Sequence, residues 1–123
     1  AVRLAPAAEQ HPWETFDACH YEDLREPGRV HIDPLGNLFV CQGISIGNVL
    51  QQPLAEILAA YRPDIHPIAG PLLHGGPAEL ARRYDVPTQA AYADACHLCY
   101  STRLALRERF PEILAPDGMY GSP

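Results

Sequence analysis

The sequence predicts a small α+β domain, a β-hairpin packed by several short helices around a four-cysteine site, and three observations lead there. Residues 29–41 alternate apolar and polar side chains around a Pro-Leu-Gly turn. Short apolar periodicities started and stopped by proline follow that stretch, as short amphipathic helices require. Four cysteines, Cys19, Cys41, Cys96 and Cys99, make up the whole thiol complement, the last two as a Cys-x-x-Cys.

The hairpin comes first because it delivers a thiol. Asp33-Pro34-Leu35-Gly36 suits a type I turn, with Asp at the first position, Pro presetting φ at the second, and Gly free to take φ > 0 where the hairpin closes. Val30 and Ile32 alternate with His31 and Asp33 before the turn, and Leu38 and Val40 with Phe39 and Cys41 after it. If Asp33 pairs with Asn37, Cys41 lies opposite Arg29 at the open end. Cys19 enters from that same end, across a corner at Pro27-Gly28.

Before the hairpin, residues 1–16 read as a linker or N-terminal extension, with Trp13 and Phe16 in a short helical turn packed on the core. After it, residues 42–48 carry two glycines around a short apolar pair and read as a tight bend wrapping the site. Pro53 opens a helix with Leu54, Ile57, Leu58 and Tyr61 on one face, stopped by Pro63. Residues 66–77 read as a loop and residues 77–84 as a second helix; Gly75-Gly76 is a helix-entry turn, since no Gly-Lys-Ser/Thr element accompanies it. A last helix starts near Cys96, carries Tyr92, Cys96, Cys99, Leu106, Phe110 and Ile113 near one line, and runs to Arg109 before Pro111. The cysteine-rich domain thus spans residues 17–114, and residues 115–123 form a turn-rich tail.

Composition narrows the function classes. With 123 residues this is one domain, and no apolar run reaches the roughly 18 residues of a membrane span, so a membrane is not an expected partner. The formal net charge is −6, carried against nine Arg and no Lys, which argues against nucleic acid as a partner. Without lysine, P-loop, Schiff-base and β-lactamase-type chemistries lack their amine. No secretory segment is visible, so the expected compartment is cytoplasmic, where thiols are kept reduced and a Cys-x-x-Cys more often binds metal or does redox work. The chain begins with Ala and is expected to be an excised piece of a longer protein.

Two cysteines three apart can ligate one metal from the first turn of a helix, whose free amides and dipole favour thiolate charge. Cys19 and Cys41 supply the other half if the last helix docks across the open end of the hairpin. Zinc and a [4Fe–4S] cluster both accept four thiolates, and each leaves a net −2. A zinc ribbon needs two close Cys-x-x-Cys knuckles, whereas here an entire hairpin separates Cys19 from Cys41. A redox Cys-x-x-Cys enzyme would need a βαβ context that the helical flanks of Cys96 do not offer.

Cys19, then Gly36-Asn-Leu-Phe-Val-Cys41, then Gly47-Asn48 before a Leu-rich helix, and finally Cys96-x-x-Cys99, resembles the C-terminal auxiliary-cluster domain of radical S-adenosylmethionine proteins, the SPASM or shorter twitch type. The similarity covers about residues 17 to 103. It implies that Cys19, Cys41, Cys96 and Cys99 bind one auxiliary [4Fe–4S] cluster, since the further cysteines of a full SPASM pattern are absent. It also implies a radical S-adenosylmethionine barrel of the parent chain as partner, and a peptide or small-molecule substrate that the cluster anchors or serves with electrons. The Cys-x3-Cys-x2-Cys of the catalytic cluster is missing, so no residue here is expected to be catalytic and the chain is not an enzyme by itself. The alternative is a structural four-cysteine zinc module for protein–protein interaction.

The remaining polar residues have plainer readings. His20 and His97 neighbour proposed ligands, but four thiolates already fill a site. His31 points outward on a strand, and His11, His66 and His74 sit in loops. Arg103 and Arg107 are expected to pair with Glu108, Glu112 or solvent, one of them being able to offset cluster charge. Asp17, Glu22 and Asp23 read as a solvated loop.

Overall fold

The computed structural model describes residues 10–18, 23–25 and 30–121. Strand β1 (His11–Pro12) leads into a single 3-10 turn, Trp13–Thr15. Both lie in the stretch read from sequence as a linker, yet β1 pairs antiparallel with a distant strand, and Arg82 lies over the Trp13 ring at 5.4 Å.

Strands β2 (His31–Ile32) and β3 (Asn37–Cys41) form the expected hairpin, with His31 opposite Phe39 and Ile32 opposite Leu38. The Asp33 amide donates to Asn37 O at 3.1 Å, Asp33 Oδ1 accepts from the amides of Leu35 and Asn37 at 2.9 Å each, and Gly36 takes φ 89°. Arg29, the expected partner of Cys41, lies outside the described residues, as does the Pro27-Gly28 corner.

The alternation expected for β3 is replaced by a buried run, Leu38, Phe39 and Val40. A third strand, β4 (Ile44–Asn48), forms in the stretch read as a bend and makes β3 central, hydrogen-bonded along both edges. The connection is Gln42-Gly43, with Gly43 at φ 82° and Cys41 opposite Ile44.

Helix α1 (Leu54–Ala60) lies on β4. It buries Ile57 against Gly47, where a Cβ would come within 2.8 Å of Ile57 Cγ2. Leu54 and Leu58 remain about 40% exposed, so the inward face is narrower than the sequence spacing suggests.

Helix α2 (Ala69–Arg83) begins in the stretch read as a loop, and kinks at Gly75 and Gly76 before resuming at Pro77. The kink has a packing cause: Gly76 has φ 67°, and a Cβ there would lie 2.2 Å from Ala18 N. The Ala78 amide donates to Phe16 O at 2.9 Å, which fastens residues 16–18 to the kink.

Tyr92, which shares the spacing of the last helix, lies ahead of it in β5 (Ala91–Tyr92), the partner of β1. Helix α3 (Ala95–Leu106) packs on α2 and ends three residues before Arg109. Residues 116–121, expected as a tail, form a 3-10 turn at Asp117–Tyr120 that buries Tyr120. The two small antiparallel sheets and three α-helices of the described residues thus make an α+β domain. Its core joins Leu24, Val40, Ile44, Ile68, Leu72, Leu80, Cys99, Leu106, Leu114 and Tyr120. Burying each large aliphatic side chain there contributes about 1.5–3 kcal/mol. None of the described helices is long and apolar enough to cross a membrane.

Candidate metal centre

The start of α3 is set by Asp94, whose side chain accepts from the His97 amide at 2.8 Å as an N-cap. That start puts Cys96 and Cys99 in the first two turns, three apart and therefore on one side of the helix. Cys96 is exposed and Cys99 is buried in the core.

One turn after Cys99, Arg103 is only 7% exposed. Its Nε donates to Cys99 Sγ at 3.3 Å, and its Nη1 donates to Gln42 O at 2.7 Å and to Tyr120 Oη at 2.8 Å. Tyr120 Oη in turn donates to Gly43 O at 2.6 Å. The guanidinium therefore ties α3 to the turn that immediately follows half-buried Cys41. Burial opposes the charge of Arg103, but the facing Cys99, Tyr120 and Cys41 outweigh it and hold the guanidinium more firmly protonated than usual. Burial also pushes the Tyr120 hydroxyl up, an effect that Arg103 counters and that Cys99 and Cys41 reinforce.

Of the four cysteines singled out from sequence, Cys99 accepts from this guanidinium, and Cys41, next to Gln42, lies near enough to favour its charge. Cys96 stands one turn earlier on α3, and Cys19 lies outside the described residues. Residues 16–18, which lead to Cys19, are held on the kink of α2, the helix that packs on α3. Among the described residues, no group of three or more His, Cys, Asp or Glu side chains is placed to hold a metal ion.

The arginines behave differently from expectation. Neither pairs with Glu108 or Glu112: Arg103 serves the cysteines, while Arg107 donates to Leu114 O at 3.2 Å, pairs with Asp117 and lies 5.0 Å over the Tyr120 ring. Tyr120 is further sandwiched by Tyr100, stacked at 5.6 Å. Sequence reading missed Tyr120 altogether; its one signal was an aromatic beside Met119 in an otherwise turn-rich stretch.

The histidines mostly have plain, exposed surroundings, although His11 lies in β1 and His74 in α2 and not in loops. His97 is exposed and sets its ring edge-on to Tyr92 at 5.1 Å, and His11, His31 and His74 are exposed; His20 and Glu22 lie outside the described residues. His66 is the exception. Its Nδ1 accepts from the amides of Ile68 and Ala69 at 3.1 and 3.0 Å, capping the start of α2, and burial lowers its pKa.

A groove of about 540 Å³ opens beside α1 and β4, lined by Ile46, Ile57, Tyr61, His66, Glu112 and Ile113 among others. Its two perturbed groups are engaged structurally. Tyr61 donates to Leu24 O at 2.6 Å, and burial together with Asp23 pushes its hydroxyl up to about 12; His66 is the cap just described. No cysteine lines this groove, so the thiols and the guanidinium are the chemically distinctive group. Comparison with protein-family models, with curated proteins and with solved structures found no match for this chain.

Proposed function

We propose that this chain is a metal-binding accessory domain whose ligands are Cys19, Cys41, Cys96 and Cys99, and that its metal is one auxiliary [4Fe–4S] cluster serving a radical S-adenosylmethionine protein. The observation that carries this reading is the buried Arg103 guanidinium facing Cys99 and Cys41. The ion pairs among the described residues engage Arg25, Arg82, Arg83 and Arg107, but not Arg103. A buried cation needs compensation, and the ionisable side chains that favour its charge among the described residues are Cys99, Tyr120 and Cys41. Thiolates are also the donors that zinc and iron–sulfur centres select.

The thiols are of the soft type such a centre selects, although Cys41, Cys96 and Cys99 are not placed together as a metal-holding group. Cys41 comes from the end of β3, Cys99 and Cys96 come from successive turns of α3, and Cys19 follows the segment fastened to α2. When bound, a cluster supplies one-electron transfer or an anchor for a substrate. The chain's own residues supply soft ligands, a counter-charge at Cys99, and shielding of Cys99 from water. The partner is the catalytic barrel of a longer protein, which acts on a peptide or small-molecule substrate.

Iron, sulfide and zinc analysis of anaerobically purified protein tests the reading. Brown protein with broad visible absorption, iron and acid-labile sulfide is expected. Colourless protein with stoichiometric zinc would replace the cluster by the structural zinc module, and protein that holds neither metal after reconstitution would refute both.

A further inference from the structure

We propose that residues 115–121 are a strap that lifts as a unit while the rest of the domain stays folded, and that its lifting is what admits solvent to the Arg103 guanidinium; this holds whether or not a metal is bound and so goes beyond the reading above. The boundary is set by how the chain is fastened. Up to Leu114 it is held by its backbone: the Ser45 amide donates to Ile113 O at 2.7 Å, the Leu114 amide donates to Phe110 O at 2.8 Å, and Leu114 is fully buried. Beyond that point, among the described residues, the backbone hydrogen bonds close inside the segment, from the Met119 amide to Pro116 O and from the Gly121 amide to Gly118 O. What ties the segment to the domain is side chains.

Those side chains meet one face of α3 and one turn. Tyr100, Arg103 and Arg107 follow one another along that face, and all three engage Tyr120: Tyr100 stacks on its ring at 5.6 Å, Arg107 lies 5.0 Å over it, and Arg103 donates to its hydroxyl at 2.8 Å. Tyr120 Oη donates onward to Gly43 O, and Gln42 Nε2 donates to Met119 Sδ at 3.4 Å. Arg107 is also a latch across the boundary, since it donates to Leu114 O on the fastened side and pairs with Asp117 on the strap side. Tyr120 is 4% exposed and Arg103 7%, so each shields the other from solvent. Lifting the strap trades the Tyr120 contacts for water, yet it leaves the sheets and α-helices in place and leaves Arg103 seated on Cys99 Sγ and Gln42 O. Few contacts are lost, which is what makes an opening local.

Chymotrypsin tests this on the full chain as purified, because it cuts after Tyr120 only when that ring has left its site. Cleavage at the Tyr120–Gly121 bond, followed by mass spectrometry, then reads the open population. In urea below the global transition its rate should stay nearly flat, since a local opening exposes little surface. Asp117→Ala removes the exposed half of the latch and should speed cleavage about 2–5-fold. Tyr120→Phe, normalised to its cutting rate in the unfolded chain, should speed it about tenfold. Phenylglyoxal modification of Arg103, resolved from that of the other arginines by peptide mass spectrometry, should accelerate in the same proportion. Cleavage that rises with urea in step with global unfolding would overturn the proposal, since the segment would then open only with the whole domain. So would variants that speed cleavage without making Arg103 easier to modify, because the strap would then shield nothing. Asp117 is 65% exposed, so its variant decides the matter even if Tyr120→Phe does not fold.

Discussion

Two glycine turns flank β3, and they differ in how much of their closure is local. The turn before it is closed by its own residues: Asp33 accepts from Leu35 and Asn37, pairs with the Asn37 amide side chain at 3.0 Å, and Gly36 supplies the positive φ. The turn after it, Gln42-Gly43, also needs a positive-φ glycine, but its carbonyls accept from Arg103 and Tyr120, which arrive from α3 and from the last 3-10 turn. The first turn is thus largely closed by its own five residues, although its Leu35 and Gly36 carbonyls also accept from Asn48 Nδ2 at 3.0 Å and the Val49 amide at 2.8 Å. The second turn exists as drawn only when sheet, helix and C-terminal segment are assembled, and it is the second that stands beside Cys41. The site depends on tertiary structure for its geometry.

Under the proposed metal-binding reading, metal removal should break this comparison most visibly. Four-thiolate sites contribute on the order of 10 kcal/mol to folding, so complete chelation should release the second turn and α3 while the hairpin at Asp33 retains residual order. Circular dichroism and amide chemical shifts check this; unchanged melting after complete metal loss would sever the site from the fold.

The glycines give a sharper pair. Gly43→Ala places a Cβ 2.6 Å from Tyr120 Oη and 2.9 Å from Arg103 Nη1, both buried. Left-handed strain and overpacking together should cost about 3 kcal/mol. Gly36→Ala meets Asn48 Oδ1 at 2.6 Å and the Leu50 side chain at 2.7 Å, and Leu50 is 76% exposed and can move aside. That variant should lose about 1.5 kcal/mol, mainly from left-handed strain. Denaturant midpoints of the two variants decide whether the second turn is the more constrained.

How much of this could be seen in the sequence follows the same division. The hairpin register and the positive φ of Gly36 were legible because donor, acceptor and glycine lie within five residues. The Cys-x-x-Cys on the first turns of a helix was legible from spacing. Strand β4 was not: Gly43 and Gly47 read as bend residues, although Gly47 is small because Ile57 of α1 presses on it. The first half of α2 was hidden by Gly75-Gly76-Pro77, where the kink answers to residues 16–18, far away in sequence. Arg103 and Tyr120 carry no local mark of their roles, since each is defined by a partner more than ten residues distant.

Smaller effects should separate the two turns by chemistry. Tyr120→Phe removes the hydroxyl from a buried site, leaving Gly43 O without that donor, and should cost about 1–2 kcal/mol. Asp33→Ala removes acceptors near solvent and should cost about 1 kcal/mol or less. Equal losses in thermal melts would erase the distinction between a local and an assembled turn.

Acid should loosen the local caps in sequence. Burial favours neutral His66, so its cap on α2 contributes fully above the ordinary histidine value of 6.5 and is lost as pH falls through its lower folded value. At Asp33, desolvation is outweighed by hydrogen bonds from Asn37, Leu35 and Gly36, which hold the carboxyl below its ordinary 3.8. Its contribution is therefore present above 3.8 and lost only as pH falls through that lower value. Amide shifts of Ile68 and Ala69 should move first on acidification and those of Leu35 and Asn37 later. Simultaneous movement would mean global unfolding and no separable local caps.

The central claim is that thiols from distant segments serve one metal beside Arg103. X-ray absorption at the metal edge of anaerobically purified protein, with Cys41→Ser and Cys99→Ser variants alongside, tests it directly. The account expects an all-sulfur shell at about 2.3 Å in the unmodified chain, with sulfur lost from the shell in either variant. A shell of nitrogen and oxygen, or a sulfur shell unaffected by both substitutions, would contradict it.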